Sequence, residues 1–166
     1  MAHDQLAELV ARAEIHAALL SYTRGIDRLD ADAVAAAFHP GATLDYGSGE
    51  RTIEEFAPYA VQALRRAYDA TQHRISNTAI DLVGDAARVE TYVLAFHIEL
   101  TPDGRFLHTF NGRYIDTFER RDGSWKIARR ILRRDWTSRE PMTDEMAGDF
   151  APSARDRTDP LYDEIA

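Results

Sequence analysis

Two residues of this chain have the types and placement of a proton-transfer pair. His73 stands in an apolar, β-rich stretch, where strand alternation puts His73, Ile75 and Asn77 on one face. Asp27 follows a long helical segment, at the mouth of any hollow between helices and sheet. An imidazole shuttles protons near neutral pH, and a carboxylate on its far nitrogen fixes the tautomer and strengthens the base. Pattern alone leaves a blander reading open, in which His73 is a satisfied structural histidine and Asp27 an ordinary helix-end carboxylate. Alternation adds further wall candidates: Val93, Ala95 and His97 on one strand face, and His108, Phe110, Gly112 and Tyr114 on another, provided no bulge intervenes. For His97 and His108, sheet packing or a subunit contact is an equal alternative. A hollow lined by aromatic and aliphatic residues with a few polar groups suits an aromatic or polycyclic ligand.

Other chemistries lack their residues. The chain has no cysteine, which removes disulfides, thiolate metal sites and thiol nucleophiles together. The histidines are scattered without ligand spacing, and no metal site is expected. There is no phosphate-cradling glycine loop, dinucleotide fingerprint or nucleophile elbow, so no cofactor is expected. The formal net charge is -8, with acids spread along the chain, which disfavours nucleic acid and anionic membrane as partners. Arg129, Arg130, Arg133 and Arg134 form the one basic cluster, read as an outward strand edge with acidic neighbours. The Met-Ala-His-Asp start lacks the basic residues of a signal peptide, and a cytoplasmic protein is expected.

The elements that must position these residues divide the chain in two. Apolar residues at Leu6, Leu9, Val10, Ala13, Ala17 and Leu20 predict a helix from Leu6 to Tyr22, weakened near Gly25. Asp30 predicts a cap for a short helix ending at His39-Pro40-Gly41, followed by a short strand over 42–46. Thr52 with Glu55 is a capping box opening a third helix to about Tyr68. Long strands are then predicted over 71–83, 86–100, 105–119 and 124–137, joined by turn signals at Gly84-Asp85, Pro102-Asp103-Gly104 and Asp122-Gly123. The predicted class is α+β: three N-terminal helices packed on a strongly curved, mostly antiparallel sheet. Residues 1–140 read as the domain and 141–166 as a C-terminal arm or lid.

At these positions the chain resembles the SnoaL-like family of the NTF2-like superfamily, in the branch with scytalone dehydratase, hexachlorocyclohexane dehydrochlorinase and bile-acid 7α-dehydratase. The resemblance runs from Ala13 to Trp136. It rests on Tyr22-x-x-x-x-Asp27, Leu44-Asp45-Tyr46, Thr71-Gln72-His73, Gly84-Asp85 and Asp122-Gly123-Ser124-Trp125. It implies an NTF2-like cone in which His73 takes the substrate proton and Asp27 orients it. It also implies that Tyr46 helps polarise a carbonyl and that Arg130 assists a departing group, while Tyr22 matches a tyrosine of the bile-acid enzyme and a lysine of the dehydrochlorinase. Two departures set scytalone itself aside as substrate. Ile26 stands where scytalone dehydratase has a functional tyrosine, and that enzyme's second histidine falls at Glu99, two residues beyond His97.

The expectation is a cofactor-independent lyase of the dehydration, dehydrohalogenation or deformylation type. The alternatives are a ketosteroid-isomerase-like isomerase and a non-catalytic binding or assembly module. A homotrimer is favoured over a dimer, because Tyr92, Leu94 and Phe96 would leave the convex sheet face apolar and the resembling lyases look trimeric. Their arms reach over the pocket, and Met142, Met146 and Phe150 would be the arm's apolar contacts here.

Overall fold

Helix α1 spans Ala2–Asp27 in the computed structural model, which describes residues 2–143 and 148–164. The apolar series that announces this helix is not the one it buries. Leu6, Leu9, Val10 and Leu20 face solvent, Leu9 being 65% exposed, while Ala11, Ile15, Leu19, Tyr22 and Ile26 meet the core. Both series have helical spacing, and only one side of a helix can lie on a sheet. The helix also runs five residues past Tyr22. Gly25 does not weaken it but seats its neighbour: a Cβ there would stand 2.8 Å from the backbone nitrogen of Val34. Buried Leu29, at φ 54, turns the chain out of the helix, and the Asp30 N–H closes the turn on the Gly25 carbonyl at 2.9 Å. Asp27 is thereby held as the last helical residue.

Asp30 caps helix α2 (Ala31–Ala36) by accepting from the Ala33 N–H at 3.0 Å. Helix α3 (Ile53–Ala67) opens on the capping box of Thr52 and Glu55. Among the described residues one sheet holds six strands: β1 (Phe38–Asp45), β2 (Glu50–Thr52), β3 (Ala70–Val83), β4 (Ala86–Thr101), β5 (Gly104–Arg121) and β6 (Ser124–Pro141). Their order is β2-β1-β6-β5-β4-β3. All neighbours are antiparallel except β1 and β6, which run parallel, so the sheet is mixed. It curls under the three helices without closing: an NTF2-like α+β cone. Two details differ from the sequence reading. The segment His39-Pro40-Gly41 is already strand, its irregularity absorbed by a register shift between Phe38 and Thr43. The short strand β2 carries no pattern of its own.

The core packs Ile15, Leu19 and Val34 of the helices against Phe38, Val89, Phe118 and Ile127 of the sheet. Further along the long strands, Val93 and Tyr114 belong to this core and, with Ala95, also line a hollow. The strand β3 is continuous with alternation only to Ser76. A bulge between Ser76 and Thr78 inserts Asn77 at φ 29 and leaves it exposed. The extra residue reverses the faces. Asn77 therefore does not share the His73 face, and its assignment to the substrate wall is corrected.

Candidate active site

Helix α1 delivers Asp27 to the start of β3, where one carboxylate accepts three hydrogen bonds. The His73 Nδ1–H donates to Oδ1 at 2.7 Å, the Thr71 hydroxyl donates to Oδ1 at 3.1 Å, and the His73 backbone N–H donates to Oδ2 at 2.8 Å. The side chains of His73 and Asp27 are 11% and 13% exposed. A carboxylate only accepts, so the ring proton sits on Nδ1 and Nε2 keeps its lone pair.

The ring borders a cavity of about 180 Å³ lined by His73, Val93, His97, Phe110 and Tyr114, with Ala95 and Leu132. Of the residues that alternation put on these faces, Ile75, Gly112 and His108 are not among the lining residues, and Leu132 of β6 joins the rest. The His97 ring meets that of His73 edge-on, centroids 5.3 Å apart. Burial, reinforced by the nearby His73, lowers the His97 pKa to about 4 against a weaker opposing pull from Asp27. His97 is therefore a neutral imidazole at physiological pH. His108 lies further out, in a second chamber of about 340 Å³ that shares His97 and Phe110 as walls. The Glu99 carboxylate, at the position where a second histidine falls in scytalone dehydratase, accepts from the His108 Nε2–H at 2.8 Å.

Tyr22, Tyr46 and Arg130 stand one layer behind the cavity rather than on its wall. The two tyrosine hydroxyls share a 2.8 Å hydrogen bond, and burial pushes both phenols above their ordinary pKa. Arg130 is fully buried and donates from Nε and Nη2 to the two Asp116 oxygens at 2.8 and 2.7 Å. Burial works against its charge, but the Asp116 carboxylate holds its pKa well above the usual value. Two of its three nitrogens are thus committed inside the protein. This corrects both the outward reading of Arg130 and its assignment to a leaving group within the cavity. Tyr114 is the link, since it lines the cavity and its ring lies 3.9 Å from the Arg130 guanidinium. The sequence reading missed Asp116, whose only signal is its place opposite Arg130 in the β5–β6 register.

It also missed Arg155. This side chain comes from the C-terminal segment and donates to the Tyr68 and Asp69 carbonyls at 2.6 and 3.0 Å and to the Thr71 hydroxyl at 3.3 Å. A hydrogen-bond chain thus runs from Arg155 through Thr71 to Asp27. The segment is held by polar contacts: Arg157 and the Tyr162 hydroxyl each lie 3.2 Å from Asp30, and Arg28 lies 3.3 Å from Asp159. Of the residues expected to make its apolar contacts, Phe150 is 70% exposed, Met142 is 36% exposed, and Met146 lies outside the described residues. Charged residues in a polar tail carry no periodicity that would mark one as reaching a site.

Comparison with known proteins gives this geometry a setting. A family model described as a SnoaL-like domain matches residues 7–131. A candidate scytalone dehydratase from Novosphingobium aromaticivorans DSM 12444 is 25% identical, with a TM-score of 0.69 over 92% of this chain and 99% of that one. LinA is 22% identical, with a TM-score of 0.73 over 89% and 98% of the two chains. The hexachlorocyclohexane dehydrochlorinase LinA-type3 from Novosphingobium barchaimii LL02 is 21% identical, with a TM-score of 0.68 over 92% and 99%. No curated protein sequence matches the chain. The two dehydrochlorinase likenesses speak for the fold.

Proposed function

Because the chain belongs to the SnoaL-like family, in the NTF2-like branch with dehydratase-like and dehydrochlorinase structures, we propose that it is a cofactor-independent lyase. Its substrate is a small aromatic or polycyclic compound. The observation that carries this reading is the 2.7 Å Asp27–His73 contact, which leaves Nε2 as a bare base at an apolar cavity. His73 Nε2 removes a proton from the substrate, and the electron pair released forms a double bond as the bond to the leaving group breaks. Asp27 stabilises the imidazolium and preserves its tautomer. If hydroxide leaves, the imidazolium returns its proton to give water. A halide leaves as the anion. A hydroxymethyl group leaves as formaldehyde once its O–H proton is taken, and the substrate carbon left with the C–C electron pair takes that proton back from the imidazolium.

Tyr114 touches the substrate, with Arg130 and the Tyr22–Tyr46 pair biasing it from behind. Their positive end favours negative charge developing beside Tyr114. We further propose that residues 141–166 act as the arm that closes this site, and that the protein is a homotrimer, with a dimer as runner-up. On the convex face Tyr92 is exposed, and Leu94 and Phe96 are half-buried.

The test is His73→Ala, compared with the parent protein on a panel of hydroxylated and halogenated aromatic compounds, with products read by mass spectrometry. The variant is expected to keep its circular dichroism and to lose ~10²–10⁴-fold in turnover. A folded variant that turns over within a few-fold of the parent would remove His73 from the chemistry. Recovery of a rearranged substrate with no fragment lost would favour the isomerase.

A further inference from the structure

The cavity beside His73 is small. An apolar cavity of about 150 Å³ accommodates one benzene ring. At about 180 Å³, the inner chamber holds one substituted ring and no more. His97 and Phe110 line both chambers, so a longer ligand can extend past them into the second, which at about 340 Å³ has room for another ring.

The outer chamber has a different chemistry. One wall is aromatic, where the Tyr68 and His97 rings pack against each other with centroids 4.7 Å apart. Its far end is polar, formed by Thr137, Ser138, His108 and Arg139. The Arg139 guanidinium lies 3.5 Å from the Phe106 ring centroid, which restrains its plane. Its Nε and Nη2 donate to Glu99 Oε2 at 3.2 and 2.9 Å, and Nη1 has no partner among the described residues. The His108 hydrogen bond and then Arg139 keep the Glu99 carboxyl below the usual carboxylate range. Glu99 is therefore an anion at neutral pH, and it cancels the Arg139 charge.

That cancellation selects the ligand. A carboxylate entering the chamber would meet Glu99 as a like charge and would have to compete with it for Arg139. A neutral hydroxyl can accept from Arg139 Nη1 and exchange a bond with the Thr137 hydroxyl, which shares the Phe110 face, at no such cost. We propose that the outer chamber is a subsite for a second, hydroxyl-bearing ring of a two-ring substrate. The first ring lies in the inner chamber against His73. The proposal rests on the lyase reading for which ring reacts, but the subsite itself is a matter of binding.

The test is calorimetric titration of the full chain with 4-benzylphenol, diphenylmethane and 4-benzylbenzoate, repeated in His73→Ala, Arg139→Ala and Arg139→Gln. 4-Benzylphenol is expected to bind about tenfold more tightly than either other compound, about the value of one hydrogen bond to a charged donor. Either Arg139 variant should erase that preference while leaving diphenylmethane binding unchanged. Two variants and their circular dichroism guard against a folding defect in one. Equal affinities, a preference for the carboxylate, no binding of any of the three, or a phenol preference that survives both Arg139 substitutions would overturn the proposal. The His73→Ala arm separates the two readings. A preference kept there leaves the subsite standing even if turnover assays dismiss the lyase.

Discussion

Replacing Asp27 by Asn changes one atom and forces a choice on His73. In the native protein the two His73 donors rest on different oxygens, the backbone N–H on Oδ2 at 2.8 Å and the ring Nδ1–H on Oδ1 at 2.7 Å. An asparagine has one acceptor oxygen, so one of those donors must face its NH₂ group. The backbone amide has no second tautomer, and leaving it unsatisfied costs about 1–3 kcal/mol. The ring does have a second tautomer. The amide oxygen is therefore expected to stay with the backbone N–H, and the ring to move its proton to Nε2. That protonates the atom facing the cavity and removes the base without moving it. The expected loss of turnover is on the order of 10²–10⁴-fold, reaching the scale seen when the aspartate of a serine-protease triad is amidated. Stability should fall by only about 1–2 kcal/mol, because one charged hydrogen bond is weakened while packing is unchanged. Nitrogen-15 NMR of the imidazole reads the tautomer directly, and product analysis reads the rate. If Asp27→Asn keeps its proton on Nδ1, or works at a third or more of the parent rate, the argument fails.

The pKa of His97 makes stability depend on pH. Folding disfavours its charged form, so the unfolded chain takes up a proton near pH 6.5 that the folded chain refuses until about pH 4. Stability should rise with pH across that window, by up to roughly 3 kcal/mol, and His97→Asn should flatten the rise in urea titrations at several pH values. An unchanged slope in the variant would assign it to other groups. Removing the chain after Met142 takes away Arg155 and the contacts to Asp30. Turnover should fall and light scattering should report weaker self-association, while the melting temperature changes little because the removed segment is held by polar contacts and its Phe150 is 70% exposed. Arg155→Ala alone should reproduce the loss of turnover. Full activity in both would make the tail a bystander.

The parts of the site that were legible in the sequence are those governed by local periodicity. Alternation brings Val93, Ala95 and His97 to one wall and Phe110 and Tyr114 to another, because β4 and β5 pair without interruption across these positions. It fails at Asn77, where a single inserted residue reverses the faces and composition gives no warning. It cannot say how deep a residue lies. Tyr22, Tyr46 and Arg130 point inward, but whether they reach the cavity depends on the bulk of Tyr114 in front of them. Helix α1 carries two apolar stripes of equal period, and the choice between them is made by the sheet it meets. The parallel pairing of β1 with β6 joins segments nearly ninety residues apart, and the contact of Arg155 with Thr71 is almost as remote in sequence. Such pairings are set by the whole fold, and no short window contains them.

Strand β3 is the last in the sheet order, so its outer side faces no other strand. An open edge of this kind is a template on which any extended chain can add, and long flat edges invite aggregation. Here side chains occupy it. Asp27 takes the His73 N–H, Arg12 takes the Ile80 carbonyl at 3.0 Å, and Arg155 takes the Asp69 carbonyl just ahead of the strand. The bulge at Asn77 breaks the run between them. The carboxylate that orients the base is thus also a stopper against strand addition. Loss of Asp27 should then show itself as a shorter shelf life and fibril-prone material, even in a version of the protein that never needed to turn over. A descendant released from catalysis would still be expected to keep a hydrogen-bond acceptor at position 27.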